Sequence, residues 1–209
     1  MTPEHQSHSD PAARAIGLLR SSTTGTLICD SLPTPVEYLL DPAGRGLILC
    51  AQHAMLDAED CVLAVPEDRF DCPMRVSLNL SEEPEGIITD RYFAYHLSQN
   101  RPLWARGSIG FAKLDSGEVV DGSLLMEPNP LSANIPRLCR LLNSDPHALG
   151  EVCLLLTHAR ISSPVAVGVD DLGCDVRGEF GVLRVPWPSP VHDADTCEQV
   201  IAALIGGVS

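Results

Sequence analysis

The sequence has 209 residues, of which 44% are hydrophobic and 20% charged, and a formal net charge of −14 at pH 7. This composition is that of a globular chain and excludes a disordered one. Nucleic-acid binding is not expected, because it depends on basic residues that neutralise phosphates, and an anionic membrane surface would repel the same charge. No apolar run reaches the roughly 18 residues that span a bilayer, and the polar start MTPEHQSHSDP does not resemble a signal peptide. We therefore expect a cytoplasmic protein.

Eight cysteines are spread along the chain without a C-x-x-C motif. Most lie in apolar runs such as TLIC, LILC and VCLLL, where a free cysteine behaves as a small buried hydrophobic residue. Structural zinc sites draw their ligands from closely spaced pairs, and disulfide frameworks belong to small, loop-rich secreted chains. The pattern therefore predicts buried free thiols. The cysteines are Cys29, Cys50, Cys61, Cys72, Cys139, Cys153, Cys174 and Cys197.

The first 126 residues are typical of a β-barrel with few helices. After a polar, mobile tail (1–9), Asp10 and Pro11 predict a helix that runs to about Arg20. Short helices are compatible with AMLDAED and with the aromatic segment 86–100. Of seven short β-runs, about six would be barrel strands, which predicts a closed barrel with hairpin turns at 42–44 and 115–117. The β-runs are 24–30, 35–41, 46–52, 60–66, 74–83, 103–114 and 118–126.

The composition changes at EPNPLSANIP, which is rich in Pro, Asn and Ser and predicts a domain boundary. Next come a helix over 135–142 and a longer helix that ends near His158. They are followed by a strand–turn–strand in VAVGVDDLGCDV and a strand in GVLRVPWP. A last helix is capped by Asp195, with Glu198 three residues on as in a capping box. We therefore predict an α+β protein with a six-stranded split β-barrel in residues 1–128 and a small α/β domain in residues 129–209.

The C-terminal part resembles the C-terminal domain of HugZ-type haem-utilisation proteins. The most specific stretch is the D-x-x-G turn from Asp170 to Gly173, followed by R-V-P-W-P at 184–188, where the family has an R-hydrophobic-P-aromatic pattern. Related modules occur in actinobacterial split-barrel proteins and in the plant protein that binds glutamyl-tRNA reductase. The resemblance implies a preceding split barrel of the pyridoxamine-phosphate-oxidase type, a homodimer, and a haem or flavin cofactor in a pocket between protomers.

The chain departs from the family pattern where cofactors are held. The family's His-Met-Asn-x-Asp-His element aligns with LLNSDP at 141–146, so both histidines are absent. Haem-degrading members carry a tail histidine that ligates iron, and none follows the last helix here, so haem oxygenase activity is not expected. Flavin barrels hold the FMN phosphate with Arg and Lys on the second strand and after the third. Here neither stretch is basic, and the second carries Asp57, Glu59 and Asp60, which repel a phosphate.

Three residues are candidates for cofactor binding. His53 follows the third strand, where the family's pockets open, and is alternatively a surface-loop histidine. Arg75 and Arg106 lie in barrel strands, where they would meet a propionate or a phosphate; alternatively, each is paired with a carboxylate. No G-x-S-x-G, Walker or Rossmann motif is found, so no catalytic residue is assigned and enzymatic activity is left open.

The sequence leaves three functions open. The leading hypothesis is a split-barrel protein, related to haem utilisation, that binds haem or flavin at a degenerate site in a homodimer. The alternative is a non-enzymatic regulatory protein whose acidic surface meets a basic protein partner. The third is an FMN-dependent oxidoreductase, which requires a phosphate site that the sequence does not show.

Overall fold

The computed structural model describes residues 10–97 and 103–208, so the predicted tail over residues 1–9 lies outside the described residues. The chain divides into two compact units. Unit 1 comprises Met1–Gly86 and Arg101–Glu127, and unit 2 comprises Ile87–Asn100 and Pro128–Ser209. Within the described ranges, no helix is long and apolar enough to cross a bilayer.

The secondary structure consists of ten strands and seven α-helices in the described residues. The strands are β1 Thr24–Cys29, β2 Leu32–Leu40, β3 Leu47–Ala51, β4 Cys61–Val65, β5 Met74–Glu82, β6 Leu103–Leu114, β7 Val119–Asp121, β8 Val165–Asp170, β9 Gly173–Gly178 and β10 Gly181–Pro186. The helices are α1 Pro11–Ser21, α2 His53–Leu56, α3 Ile87–His96, α4 Gly122–Leu125, α5 Ile135–Leu142, α6 Pro146–Thr157 and α7 Ala194–Gly207.

Unit 1 is a closed antiparallel barrel. Its strands follow the order β3-β2-β1-β4-β5-β6, β3 also pairs with β6 to close the ring, and β7 extends β6. Alternate residues point inward, as in Leu27 and Cys29 on β1 or Met74, Val76 and Leu78 on β5, and they form one apolar core. The predicted α+β fold, a six-stranded barrel followed by a small α/β domain, is confirmed.

Helix α1 begins as the sequence predicts. The Asp10 carboxylate accepts a hydrogen bond from the Ala12 amide at 3.1 Å, which satisfies one of the unpaired amides of the first turn. The helix buries Ala15 and Leu19 in the core of the barrel. The Leu19 carbonyl accepts a hydrogen bond from the Tyr38 hydroxyl at 3.0 Å, which ties the helix to β2.

The turn between β1 and β2 differs from the prediction. β2 begins at Leu32 rather than Pro35, and only Asp30 and Ser31 connect the two strands. Both have positive φ angles, 47° and 72°, which are the angles that a two-residue hairpin turn requires and that glycine or asparagine normally supplies. The hairpin was missed because neither residue type occupies the turn.

Two predicted helix and strand limits are also wrong. The strand expected over 118–126 ends at Asp121, whose carboxylate accepts a hydrogen bond from the Ser123 amide at 2.8 Å and so starts α4. The last helix is capped by Asp193, not Asp195, because Asp193 accepts a hydrogen bond from the Thr196 amide at 2.8 Å. Asp195 lies in the first turn instead, where a negative charge is favourable.

Unit 2 is a three-stranded antiparallel sheet, ordered β10-β9-β8, with its helices packed around it. Its own apolar core includes Leu149 and Cys153 from α6, Val176 from β9, Val185 from β10 and Ile201 from α7. Helix α3 belongs to this unit although it precedes β6 in sequence.

The contact of α3 with the sheet is close. The Tyr95 hydroxyl donates a hydrogen bond to the Asp175 carboxylate at 2.7 Å. A Cβ on Gly168 would lie 1.7 Å from the same hydroxyl oxygen, so only glycine allows α3 to pack here.

All eight cysteines are free thiols. Six are buried, whereas Cys50 and Cys139 are half-buried.

Candidate functional site

The D-x-x-G turn of unit 2 forms a closed network with the arginine of R-V-P-W-P. Asp170 Oδ1 accepts hydrogen bonds from the amides of Leu172 at 2.8 Å and Gly173 at 3.1 Å, and from the guanidinium of Arg184. Arg184 Nη1 also donates to Asp175 Oδ1 at 3.1 Å. The turn therefore needs an aspartate and the strand β10 needs an arginine, because the two side chains satisfy each other's buried polar groups.

The aromatic residue of the same motif completes this network. Trp187 Nε1 donates to the Asp170 carbonyl at 2.9 Å, and its amide donates to the Leu172 carbonyl at 2.9 Å. A Cβ on Gly173 would lie 2.4 Å from the Val185 carbonyl oxygen, so a residue with a side chain does not fit at this position. These contacts hold the three-stranded sheet together, so the stretch that carries the resemblance is a structural element.

Arg106 is held inside an ion-pair cluster of unit 1. Its Nε and Nη2 donate to the two carboxylate oxygens of Glu83 at 2.7 and 2.9 Å, and its Nη1 donates to Asp41 Oδ2 at 2.7 Å and to the Arg45 carbonyl at 3.2 Å. The Asp41 side chain is only 2% exposed. Burial alone would raise the pKa of Asp41, but the hydrogen bonds from Ala43 and Arg106 and the two arginine charges lower it overall.

The other two predicted site residues lie at the surface. Arg75 points outward from β5, and its Nη2 donates to Asp68 Oδ1 at 2.6 Å. His53 is the exposed first residue of α2. Arg106 lies opposite Ser81 on β5, which is six residues, or about 20 Å, along that strand from Arg75. The structure therefore does not bring Arg75 and Arg106 together, and their role in cofactor binding stays a prediction.

A β-bulge in β6 reverses the direction of its last residues. Leu78 of β5 lies opposite Ile109, but Ser77 lies opposite Phe111, so Gly110 is the extra residue. Before the bulge, Ile109 points into the barrel, and after it Ala112 does. A bulge shifts the alternation by one residue. Phe111 therefore points outward, and so does Lys113.

The bulge creates the outer β5–β7 face, which we define by Arg75, Ser77, Phe111, Lys113 and Val119. Arg75 lies opposite Lys113, and Lys113 lies opposite Val119 on the next strand. Phe111 is diagonal to Val119, within the reach of an aromatic ring. The two apolar side chains are 47% and 64% exposed, so together they form an apolar surface on the barrel.

Two cations lie side by side on this face. Arg75 and Lys113 are like charges at directly opposed positions, an arrangement that is unfavourable without a counter-charge. Asp68 partly neutralises Arg75, whereas Lys113 has no ion-pair partner in ranges 10–97 and 103–208.

The acid on the same face is already engaged. Asp121 lies opposite Phe111, and its carboxylate accepts hydrogen bonds from the Ser123 amide and hydroxyl. These bonds lower the pKa of Asp121, so its carboxylate stays ionised at the start of α4. Lys113, without an ion-pair partner in the described ranges, is the cation that an incoming anion would meet.

Fold and surface together define an α+β protein with a closed six-stranded barrel, a small α/β unit and an outer barrel face that carries apolar and basic side chains. No protein-family model and no curated protein matches the sequence. Among solved structures, the chain is similar to Atu2129 from Agrobacterium tumefaciens, a protein of unknown function. The identity is 16% over 98% of this chain and 97% of that chain, with a TM-score of 0.73, so the two share a fold.

A second solved structure is that of a heme-binding protein from Mycobacterium smegmatis. It aligns with 100% of this chain and 98% of its own length at 20% identity, with a TM-score of 0.42.

Arg75 is the one residue of the outer face that is predicted as a site residue from the sequence; Phe111, Lys113 and Val119 are not. Strict alternation along β6 from Ile109 would place Phe111 inside the barrel, where a phenylalanine would be an ordinary core residue. The available signal is Gly110 between two large apolar residues, because a glycine within a strand often marks a bulge.

Proposed function

We propose that this protein binds a planar cofactor with one or more anionic groups on its outer β5–β7 face. The observation that carries the proposal is the position of Lys113 beside Val119 and two residues from Phe111, all outward-facing. An aromatic ring stacks on a flat conjugated molecule, and an ammonium group pairs with a carboxylate or a phosphate. Arg75, opposite Lys113, supplies a second positive charge.

A second copy of the chain is part of this proposal. The open face covers one side of a flat molecule, whereas ligand sites bury 70–90% or more of a ligand of about this size. A homodimer in which two barrels enclose the cofactor would cover the other side. Association must then overcome the repulsion between chains of net charge −14, a repulsion that physiological salt screens beyond about 8 Å.

Haem and FMN share the chemistry that this face recognises, because haem carries propionates and FMN carries a phosphate. The face supplies the anion contact and the apolar surface for either, but β5, β6 and β7 contain no histidine that could ligate iron. The basic residues that hold the phosphate in flavin barrels are absent from β2 and from residues 52–60. The face therefore supports a planar anionic molecule as a class, with haem and FMN as the two candidates to be compared.

The test is an absorbance titration of the whole protein with haemin and, separately, with FMN. We expect a saturable change in the Soret band or in the flavin bands for one of the two, together with a dimer by light scattering. Phe111→Ser should weaken that binding by tenfold or more, whereas Phe180→Ser, which alters a fully exposed phenylalanine of unit 2, should not.

Two outcomes would overturn the proposal. One is the absence of a saturable change with both molecules. The other is binding that Phe111→Ser and Phe180→Ser weaken equally, which would place the site elsewhere.

A further inference from the structure

Two cysteines of the barrel lie in direct contact. Cys29, at the end of β1, is the register partner of Cys61, at the start of β4. Their sulfur atoms are 3.0 Å apart. Both residues are buried in the core of unit 1, with exposures of 7% and 5%. This pair is not predictable from local sequence patterns, since 31 residues separate the two cysteines.

The backbone between these two cysteines already suits a disulfide. The Asp30 amide donates to the Asp60 carbonyl at 3.0 Å, so positions 30 and 60 are a hydrogen-bonded pair. Such pairs alternate along an antiparallel ladder, which makes Cys29 and Cys61 a non-hydrogen-bonded pair, with Cα atoms about 4.5 Å apart. Disulfides span Cα separations of about 4.4–6.8 Å, so the bridge requires little movement of the strands.

We propose that Cys29 and Cys61 are a redox modification site that a peroxide converts into a disulfide. Burial and the neighbouring Cys61 raise the pKa of the Cys29 thiol to about 12, so Cys61 is the cysteine that attacks as its thiolate. It attacks a peroxide oxygen: the S–O bond forms, the O–O bond breaks, and the leaving hydroxide takes up a proton as water. The second thiol loses its proton and attacks the sulfenic sulfur; the S–S bond forms, the S–O bond breaks, and a second water leaves. The pair loses two electrons and two protons, and hydrogen peroxide is reduced to two molecules of water.

The bridge would change the structure around α2. The reduced Cys61 thiol donates a weak hydrogen bond to the Met55 carbonyl at 3.8 Å, and oxidation removes that proton. The disulfide also closes a ring that contains β2, β3 and α2. Closing a ring restricts the unfolded chain, so the oxidised protein should unfold at a higher temperature than the reduced one.

Peptide mapping of the whole protein tests this proposal. The reduced protein is treated with hydrogen peroxide, its remaining thiols are alkylated, and the digest is analysed without reductant. We expect one cross-linked peptide pair joining Cys29 to Cys61, a fall in titratable thiols from eight to six, and a higher thermal midpoint that dithiothreitol reverses.

Matched variants identify the pair. Cys29→Ser should abolish the cross-link and the rise in midpoint. Cys72→Ser should leave both unchanged, because the Cys72 thiol contacts the carbonyls of Val65 and Met74. If a serine variant fails to fold, the map of the unaltered protein still decides. Eight thiols remaining, a cross-link between other cysteines, or sulfinic acid at these positions would overturn the proposal.

Discussion

Arg184 and Asp170 form an ion pair beneath the β8–β9 turn, with side chains only 12% and 14% exposed. The arginine also reaches Asp175, and the aspartate also holds the turn through two amides. Removing one partner of a buried pair leaves an uncompensated charge, which is more costly than the loss of the attraction alone.

Arg184→Met should therefore destabilise unit 2 by about 3–5 kcal/mol. The measurement is urea unfolding followed by circular dichroism and by tryptophan fluorescence, since Trp187 lies in the same network. Arg137→Met is the matched control. The Arg137 side chain is 54% exposed and that of its partner Glu198 is 32% exposed, and pairs open to solvent contribute about 1 kcal/mol or less. Equal losses for the two variants would show that the Arg184 network is not stabilising.

Asp41 should make the barrel sensitive to acid. Its pKa is lowered in the folded state, so its stabilising contribution is complete above the unfolded value of about 3.9 and is lost as the pH falls through the lower folded value. With Asp41→Asn, the free energy of unfolding should decrease less steeply as the pH is lowered below about 4.

Glu85→Gln is the control for Asp41→Asn, because it changes the net charge equally at an exposed position. The same acid dependence in the Asp41 variant and the unaltered protein would contradict this role of Arg106 and Asp41.

The buried thiols should make unit 2 sensitive to alkali. Burial raises the pKa of Cys153 and of Cys197 to about 11. Above the unfolded value near 8.5 the unfolded chain loses these protons first, so stability falls with rising pH, by up to about 1.4 kcal/mol per pH unit for each thiol.

Cys153→Ala should flatten this decline when unfolding is measured by urea at several pH values above about 8.5. The two proteins are compared by the slope of the free energy of unfolding against pH, because the variant also loses packing, and therefore stability, at neutral pH. An unchanged slope would mean that the buried thiol does not govern the alkaline limit.

Ser31→Gly should stabilise unit 1. Ser31 has a φ of 72°, which costs a residue with a Cβ about 1–2 kcal/mol, whereas the extra freedom of glycine in the unfolded chain costs roughly 0.5–1 kcal/mol. We expect a net gain of up to about 1 kcal/mol in thermal or urea unfolding. Ser31→Ala keeps the strain and should give no gain; a gain from alanine would show that the side chain, not the turn, is responsible.

The sequence predicts what local chemistry determines. Asp10 and Pro11 mark the start of α1 because a carboxylate cap acts within one turn. The alternation along β5 predicts a half-buried strand because side chains point to opposite faces.

What the sequence could not predict depends on distant partners or on register. Arg106 meets Glu83 and Asp41, which are 23 and 65 residues away, so its neutralisation is visible only in the closed barrel. The outer face depends on one extra residue, Gly110, which reverses the alternation that strand prediction assumes.

Lys113 on the outer β5–β7 face is proposed to hold the anionic group of a planar cofactor. The most direct measurement compares the dissociation constants of Lys113→Glu and Arg140→Glu for whichever of haemin and FMN the unaltered protein binds. The two substitutions change the net charge equally, and Arg140 is an exposed residue of unit 2. We predict that Lys113→Glu weakens binding by tenfold or more, about 1.4 kcal/mol, while Arg140→Glu changes it less than twofold. Equal weakening by both variants, or no weakening by either, would contradict this role of Lys113.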